Sequence, residues 1–468
     1  MTDLNRELEI QSQWHLLPQC QHLKIFDELV NNEFLPERLN YERQWRLLKN
    51  IIRFASRKIP FYKKKFSQAG IHRLSLGSLK DLSKLPILTK SDIQNNSSLL
   101  RPSYLPPGEK FSGETRTSGS TGQPVRVPHT EKSMIMFGVL KQREFRWFRF
   151  DPRLTLAVIR PTSDVPSQKP GEKVKLGQTI SLNGWLHVRR FFKTGSFIGF
   201  IRSNPLDVQR KWLEKNQPHY LIIQPADLEH LALSYQGKRP PGSLKASQVI
   251  SQDLTAEMRS LIKRTFNVPL YQNYGLNEIG IIATRCTEGK RYHVHTEHCL
   301  VEIVDEAGKP CLPGQQGKVV VTALNNKAMP LIRYDTDDLA EVVDGPCPCG
   351  RTLPSFVNLR GRYKRIISLP KGTMAYSAAF QRELSDMPQD LLNPLRQYQL
   401  HQSADRNFSL RLVVAGKLPP QFQERLQKAW LDVQNEHFNA TLNIMIVDSI
   451  PRPPGGKYQN FTSDFMPM

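Results

Sequence analysis

Two hydrophobic rhythms run along the chain, and the change between them falls near residue 150. Before it, Trp45, Leu48, Ile51, Ile52 and Ala55 recur at three- and four-residue spacing as far as Pro60, which predicts a helix over 41–59. The segments IPFYKKKFSQAGI (59–71) and LKDLSKLPILTKSDI (79–93) predict two short helical pieces around prolines. Beyond it come short apolar runs, LTLAVI (154–159), HYLIIQ (219–224) and KVVVTAL (318–324), with helical stretches such as 253–266 between several of them. Buried strands alternating with helices predict an α/β fold with largely parallel sheets.

The last hundred residues follow a pattern of their own. FSLRLVV (408–414) alternates, QFQERLQKAWLDVQNEHF (421–438) has helical period through Phe422, Leu426, Trp430 and Val433, and LNIMIV (442–447) alternates again. This predicts a small β-α-β unit, too small to share the main core, so the expected division is 1–360 and 361–468. The sequence contains no internal repeat and no low-complexity tract.

Composition narrows the class. A chain of 468 residues has room for two or three domains, and 39% hydrophobic residues suits a soluble globular protein. No apolar run approaches the roughly 18 residues of a membrane span. The N-terminus, MTDLNRELEIQSQW, carries acids early and no apolar signal region, so export is not expected. Six scattered cysteines make no disulfide framework, and the expected compartment is the cytoplasm.

Charge changes the picture less than its size suggests. Lys and Arg number 65 against 43 Asp and Glu, a net +22. The run KQREFRWFRFDPR (141–153) interleaves bases with aromatics, as single-strand binders do. With no nucleic-acid motif beside it, an amphipathic helix is preferred, with Phe and Trp facing the core and the arginines solvated. A basic surface equally suits ATP and coenzyme A.

Four stretches carry candidate chemistry. TRTSGSTGQPVRV (115–127) is crowded with hydroxyl residues and glycines, whose backbone N–H groups can converge on a phosphate; no Gly-Lys-Ser/Thr ends it, so it is not a P-loop. YQNYGLNEIG (271–280) sets a Glu in a Tyr-Gly turn, PLIRYDTDDLAEV (330–342) puts acids on a turn between apolar runs, and PRPPGGKYQNF (451–461) raises Lys457 on a Gly-Gly loop. In this order they resemble the adenylate-forming superfamily. IPFYKKKFSQAGI, LPILTKSDI, EIGIIATRC (278–286), MPLIRYDTDD and CPCGRTLP (347–354) are more closely similar to the phenylacetate–CoA ligases and their capsule-biosynthesis relatives. The resemblance runs from about residue 45 to 461.

The resemblance implies a large, multi-subdomain α/β N-terminal domain with a small, mobile C-terminal α+β lid, and an ATP-dependent carboxylic-acid ligase that works through an acyl-adenylate. Thr117, Ser118, Gly119, Ser120, Thr121 and Gly122 would hold the β- and γ-phosphates of ATP. Tyr274, Gly275 and their neighbours would frame the adenine and the acyl pocket, and Glu278 would help hold Mg²⁺. Asp338 would accept from the ribose hydroxyls, Arg362 would support the nucleotide, and Lys457 would meet the carboxylate and α-phosphate oxygens. The acceptor implied first is coenzyme A; an amine or a carrier-protein thiol is the alternative, because RIISLPKGTMAYSAAF (365–380) follows the capsule-type pattern. The acid is expected to be aromatic or small. A non-catalytic homologue or a nucleic-acid binder is the rival of another class, and Glu278 and Lys457 together argue against it. The sequence departs from the family at Asp337, where glycine is usual, at Ser251 and Gln252, where Gly-Glu is common, and at Lys364, where the hinge usually carries Asp.

Cys347 and Cys349 stand one residue apart, with Cys286 and His293 upstream. Thiolates with one imidazole suit a four-coordinate structural zinc site, reduced buried cysteines being the plainer alternative. The branch resemblance carries these positions, and His295 is the rival fourth ligand.

Overall fold

The structure is a computed structural model. It describes all residues except 1–12, 21–23, 72–76, 117–124, 167–173, 236–238, 251–253, 255, 362–366, 370–371, 375–382, 385–386, 393, 405, 432–439, 451–460 and 465–468. The chain forms two compact units that do not follow chain order: 1–153, 184–194 and 272–363 make the first, and 154–183, 195–271 and 364–468 the second.

In the first unit, the expected N-terminal helix runs over Glu37–Lys58 and ends where Ile59 turns extended ahead of Pro60. Pro60 then opens the helix Pro60–Gln68 at its first position, where a missing N–H costs nothing. The second expected piece divides into a 3₁₀ turn, Leu79–Lys84, and a helix, Lys90–Asn95, whose start is fixed by a reciprocal Thr89–Asp92 capping box. Leu48, Ile51, Ile52 and Ala55 are buried in one apolar core with Ile282, Val319 and Val321 of the sheet.

That sheet corrects the expectation of largely parallel strands. In spatial order it contains Cys299–Val304, Gln316–Ala323, Tyr334–Val342, Ser355–Arg360, Tyr292–Val294, Gly280–Arg285 and Leu270–Leu276, every neighbour antiparallel. Short connections between successive strands favour antiparallel hairpins, and apolar runs alone do not distinguish the two arrangements.

Helix Glu131–Trp147 brings a second correction. It is helical as expected, but Arg143 is 1% exposed and Lys141 6%, so its basic residues are not all solvated. Arg143 pairs with Glu33 at 3.3 Å and with Glu297 at 3.0 Å, while Lys141 pairs with buried Glu144 at 2.8 Å. Burial works against the Glu297 carboxylate, but Arg143 and Arg43 outweigh it and hold its pKa down to about 2.

The second unit does have the parallel sheet. Ala246–Val249, Tyr220–Ile223, Leu156–Arg160 and Phe197–Ile201 lie side by side in that order and all parallel, with Ile180–Leu182 antiparallel at the edge. Helix Pro225–Ser234 is buried along its whole length. The C-terminal segment folds as the expected β-α-β: Asn407–Val414 and Thr441–Ile446 pair in parallel around helix Pro420–Leu431. It does not keep a separate core, however. Tyr398, Leu400, Leu410, Phe422, Leu426 and Trp430 share one buried cluster with Leu228, Leu231 and Met258, and Tyr398 Oη donates to Glu229 at 3.1 Å. The inward face of that small sheet is too apolar to be left in water, and helix Pro225–Ser234 covers it. Among the described residues no helix is long and apolar enough to cross a membrane.

Candidate functional site

The Tyr-Gly turn and the Asp-rich turn meet within the first unit. Asn273–Leu276 pairs with Gly280–Thr284, and the register slips between Tyr274 and Gly275. The slip brings the strands so close that a Cβ on Gly275 would lie 2.7 Å from the Gly280 carbonyl oxygen, so glycine is required here. The tight turn carries Glu278 inward, leaving it 8% exposed.

Opposite, the strand Tyr334–Val342 bulges. Lys318 faces Leu339 and Val320 faces Asp335, so Val319 alone stands against Thr336, Asp337 and Asp338. Asp337 sits in the left-handed region at φ 62°. Asp tolerates that conformation better than most residues other than glycine. The bulge is pinned by Thr336 Oγ1, which donates to the Val319 carbonyl at 2.9 Å and accepts from Asp338 N–H at 3.2 Å, while Asp337 N–H donates to Asp335 Oδ1 at 2.9 Å.

Two tyrosine–carboxylate pairs result. Tyr274 Oη donates to Asp338 Oδ2 at 2.7 Å, and Tyr334 Oη donates to Glu278 Oε1 at 3.2 Å. Burial, reinforced by Asp338 for Tyr274 and by Glu278 for Tyr334, raises both phenol pKa values, so both tyrosines remain donors. Each tyrosine thus orients its carboxylate through one oxygen, and an ionised carboxylate can accept from hydroxyls or bind a cation.

The phosphate-loop stretch enters through its stems. Phe111–Arg116 pairs antiparallel with Arg126–Thr130, Arg116 opposite Arg126, bracketing 117–124. Thr115 Oγ1 donates to the Asn277 carbonyl at 2.6 Å, and Asn277 Nδ2 donates to the Arg116 carbonyl at 3.2 Å. The first stem is therefore tied directly to the turn that carries Glu278. Thr117, Ser118, Gly119, Ser120, Thr121 and Gly122 lie outside the described residues, as do Arg362, Lys457, Ser251, Gln252 and Lys364.

The thiols form a second cluster in this unit. The ligand atoms of Cys286, His293, Cys347 and Cys349 all lie within 4.8 Å of one another. Cys347 Sγ is 3.7 Å from Cys286 Sγ, and Cys349 Sγ is 3.3 Å from His293 Nε2. His293 Nδ1 is 3.3 Å from the Leu353 carbonyl, the outer contact that leaves Nε2 to face the sulfurs. Burial disfavours the Cys349 thiolate, but hydrogen bonds from His293 and from the Arg351 N–H outweigh it and bring the thiol down to about 5. Burial pushes Cys286 up to about 12. His295 does not join them. It is fully buried, 2.9 Å from Thr284 Oγ1 and 3.2 Å from Arg143 Nη1, and burial lowers its pKa well below the ordinary value.

Several supporting residues were not legible. Tyr334 belongs to the Asp-rich stretch, whose pattern gives it no role, and nothing in the sequence links Thr115 to Asn277. His298 is fully buried and sits 2.8 Å from the Ile279 carbonyl through Nε2, steadying the residue next to Glu278. Its only sequence signal is membership of a histidine-rich run, HVHTEH (293–298).

Comparison with known proteins agrees with this architecture. The chain is 24% identical over 364 residues to a phenylacetate–coenzyme A ligase of Thermus thermophilus, covering 76% of this chain and 78% of that one. It is likewise 24% identical over 353 residues to the enzyme of that name from Escherichia coli, covering 73% and 75%. Among solved structures, a 2-hydroxyisobutyryl-CoA ligase in its postadenylation state, in complex with 2-HIB-AMP, superposes with a TM-score of 0.70 at 17% identity over 92% of this chain and 91% of that one. No family model matches the chain. The chain is a distant homologue of phenylacetate–coenzyme A ligases over about three quarters of its length, and its fold matches that of adenylate-forming ligase structures.

Proposed function

We propose that this acyl-CoA ligase-like chain condenses a carboxylic acid with ATP to an acyl-adenylate, releasing diphosphate, and then passes the acyl group to a thiol, coenzyme A first among acceptors. The observation that carries this reading is the joining of three motifs in one place: the stem of the 117–124 loop is bonded to the Glu278 turn, and Tyr334 and Tyr274 orient the two carboxylates.

In this reading Asp338, oriented by Tyr274, accepts from the ribose hydroxyls, and Arg362 supports the nucleotide. The hydroxyls and backbone N–H groups of Thr117–Gly122 hold the departing diphosphate in line. Lys457 meets the acid's carboxylate and the α-phosphate oxygens, where negative charge builds as the two anions approach. Glu278, one oxygen engaged by Tyr334, supplies a carboxylate to Mg²⁺. The metal neutralises phosphate charge when bound. The segment after the hinge at Lys364 would take two orientations, one for each half-reaction.

The thiol cluster is read as a structural zinc site. Three sulfurs and one imidazole are the donor set zinc prefers, and the outer contact of His293 to Leu353 matches. Cys286, His293, Cys347 and Cys349 would hold the metal, joining the strands near Glu278 to the loop ahead of Ser355–Arg360. The test of the activity is hydroxylamine trapping across a panel of carboxylic acids. At least one acid should give an ATP-dependent hydroxamate, and none across a broad panel would sink the reading.

A further inference from the structure

The chain contains no acidic residue from Arg43 to Lys80 and eleven basic ones. On helix Glu37–Lys58 the exposed Arg46, Lys49, Arg53 and Arg57 recur every three or four residues, which lines them up along one face. That stripe ends in a cleft of about 190 Å³ lined by Arg57, Lys58, Lys63, Ser103 and Tyr104.

The lining is chemically one-sided. Among the described residues it carries three cations and two hydroxyls, and no carboxylate. Neighbouring charges are already matched: Lys65 with Asp92 at 2.7 Å, Arg101 with Glu114 at 3.0 Å, and Lys327 with Glu109 at 2.8 Å. Among the described residues, Arg57, Lys58 and Lys63 have no carboxylate partner. Lys58 Nζ instead donates to Tyr104 Oη and lies 4.8 Å from the centre of its ring. That bond, with the charge of Lys58 and then Lys63, lowers the Tyr104 pKa below its ordinary value. Three like charges around one concavity repel each other, and an anion seated among them removes the repulsion.

We propose that this cleft binds the phosphate group of a ligand, a phosphate monoester or a diphosphate, through residues distinct from those of the 117–124 loop. Arg57 offers a planar fork to phosphate oxygens, the two ammonium groups offer point charges, and Ser103 and Tyr104 donate hydroxyl hydrogens. The cleft is smaller than the roughly 300–1,000 Å³ of pockets that enclose whole small molecules, so it takes the ionic head and leaves the rest outside. Two sources share this chemistry: the phosphorylated nucleotide end of an acyl acceptor, or free diphosphate. Of the two sources only the acyl acceptor rests on the ligase reading; the charge and geometry of the cleft do not.

The test is calorimetric titration of the full chain with adenosine 3′,5′-bisphosphate and, separately, inorganic diphosphate, the ATP site being saturated beforehand with a non-hydrolysable ATP analogue. At least one anion should bind, and the Arg57→Ala/Lys63→Ala double variant should weaken it at least tenfold, since two charge-assisted bonds are lost. Binding of the bisphosphate alone identifies the nucleotide end, and binding of diphosphate alone identifies the free anion; either supports the cleft. Lys63→Arg should keep binding, which separates loss of charge from loss of fold. As a second readout, the Tyr104 phenol, isolated by difference against Tyr104→Phe, should titrate at higher pH once the anion is bound. Equal affinity in wild type and double variant, or no binding of either anion at low salt, would overturn the proposal.

Discussion

Two side-chain clusters of the first unit, the thiol–imidazole set and the tyrosine–carboxylate pairs, are assembled on opposite plans. The thiol–imidazole cluster holds its four ligand atoms within 4.8 Å, all from the region between Cys286 and Cys349 and all fixed by one sheet and its loops. The carboxylate turns instead present two separate pairs, Tyr274–Asp338 and Tyr334–Glu278, and the other groups of the proposed reaction come from remote stretches at 117–124, Arg362 and Lys457. A metal that only braces a fold needs every ligand at once, so its site is local and closed. The proposed reaction must admit ATP, release diphosphate and then admit a second substrate, a cycle that parts able to separate would serve.

The strongest test of that contrast is Lys457→Ala. Loss of a group placed where charge develops should slow adenylate formation by at least roughly 10²-fold and leave transfer from a supplied acyl-adenylate nearly unchanged. Lys364→Pro, which fixes φ at the pivot, should do the reverse, with adenylate accumulating and transfer slowing. Rapid quench times the two half-reactions separately; equal loss of both in each variant would mean one fixed site.

At the closed site, the purified protein should carry about one zinc per chain, as four-coordinate sites do. Cys347→Ser should lower both zinc content, read by elemental analysis, and the unfolding midpoint, read by calorimetry. Freshly prepared, unchelated protein without zinc would leave only reduced cysteines in a core. Adenylate formation should fall less than in Lys457→Ala, because the cluster braces the turn and touches no reactant.

A smaller effect is expected with pH. Burial lowers the His298 pKa to about 4, while an unfolded histidine titrates near 6.5. Between those values the unfolded chain binds a proton that the folded chain refuses, so stability should fall as pH drops from about 6.5 towards about 4. Buried His129 acts in the same direction. His298→Asn should flatten that slope in denaturant titrations; an unchanged slope would show that His298 is not its source.

How much of this was legible depended on whether the determinant was local. The helix over Glu37–Lys58, its stop before Pro60 and the C-terminal β-α-β all follow from spacing between near neighbours. Cys286, His293, Cys347 and Cys349 were found as a set, yet only the strand pairing Tyr292–Phe356 and His293–Ser355 shows that His293, and not His295, lies beside the three thiols. Adjacent strand positions point to opposite faces, but these two histidines lie two apart, so alternation alone offers no choice. Strand direction was misread in the first unit because an apolar run carries no sign of its partner's direction. The buried Arg143 was misread because its partners are 110 residues before it and 154 after it, at Glu33 and Glu297.

The least effect is expected at Asp337, whose backbone is left-handed at φ 62°. Asp337→Gly should change stability by no more than about 1 kcal/mol, relief of the strained φ being offset by a freer unfolded chain. Asp337→Val should be less stable than the glycine variant by about 2 kcal/mol, since a β-branched residue resists that region. If valine were as stable as glycine in chemical denaturation, the bulge would not depend on residue 337.

The buried Arg143 has a practical consequence for anyone trimming the N-terminus. Glu33 pairs both with Arg143, at 3.3 Å, and with Arg351, at 3.1 Å, and Arg143 Nη2 also donates to the Leu29 carbonyl. A shortened version beginning at Glu37 would remove those acceptors and leave a guanidinium that is 1% exposed with Glu297 as its remaining acid. Residues 25–36 are thus anchored to the body of the protein through buried Phe26, Leu29 and Glu33, and a truncation made to tidy an expression vector should yield inclusion bodies.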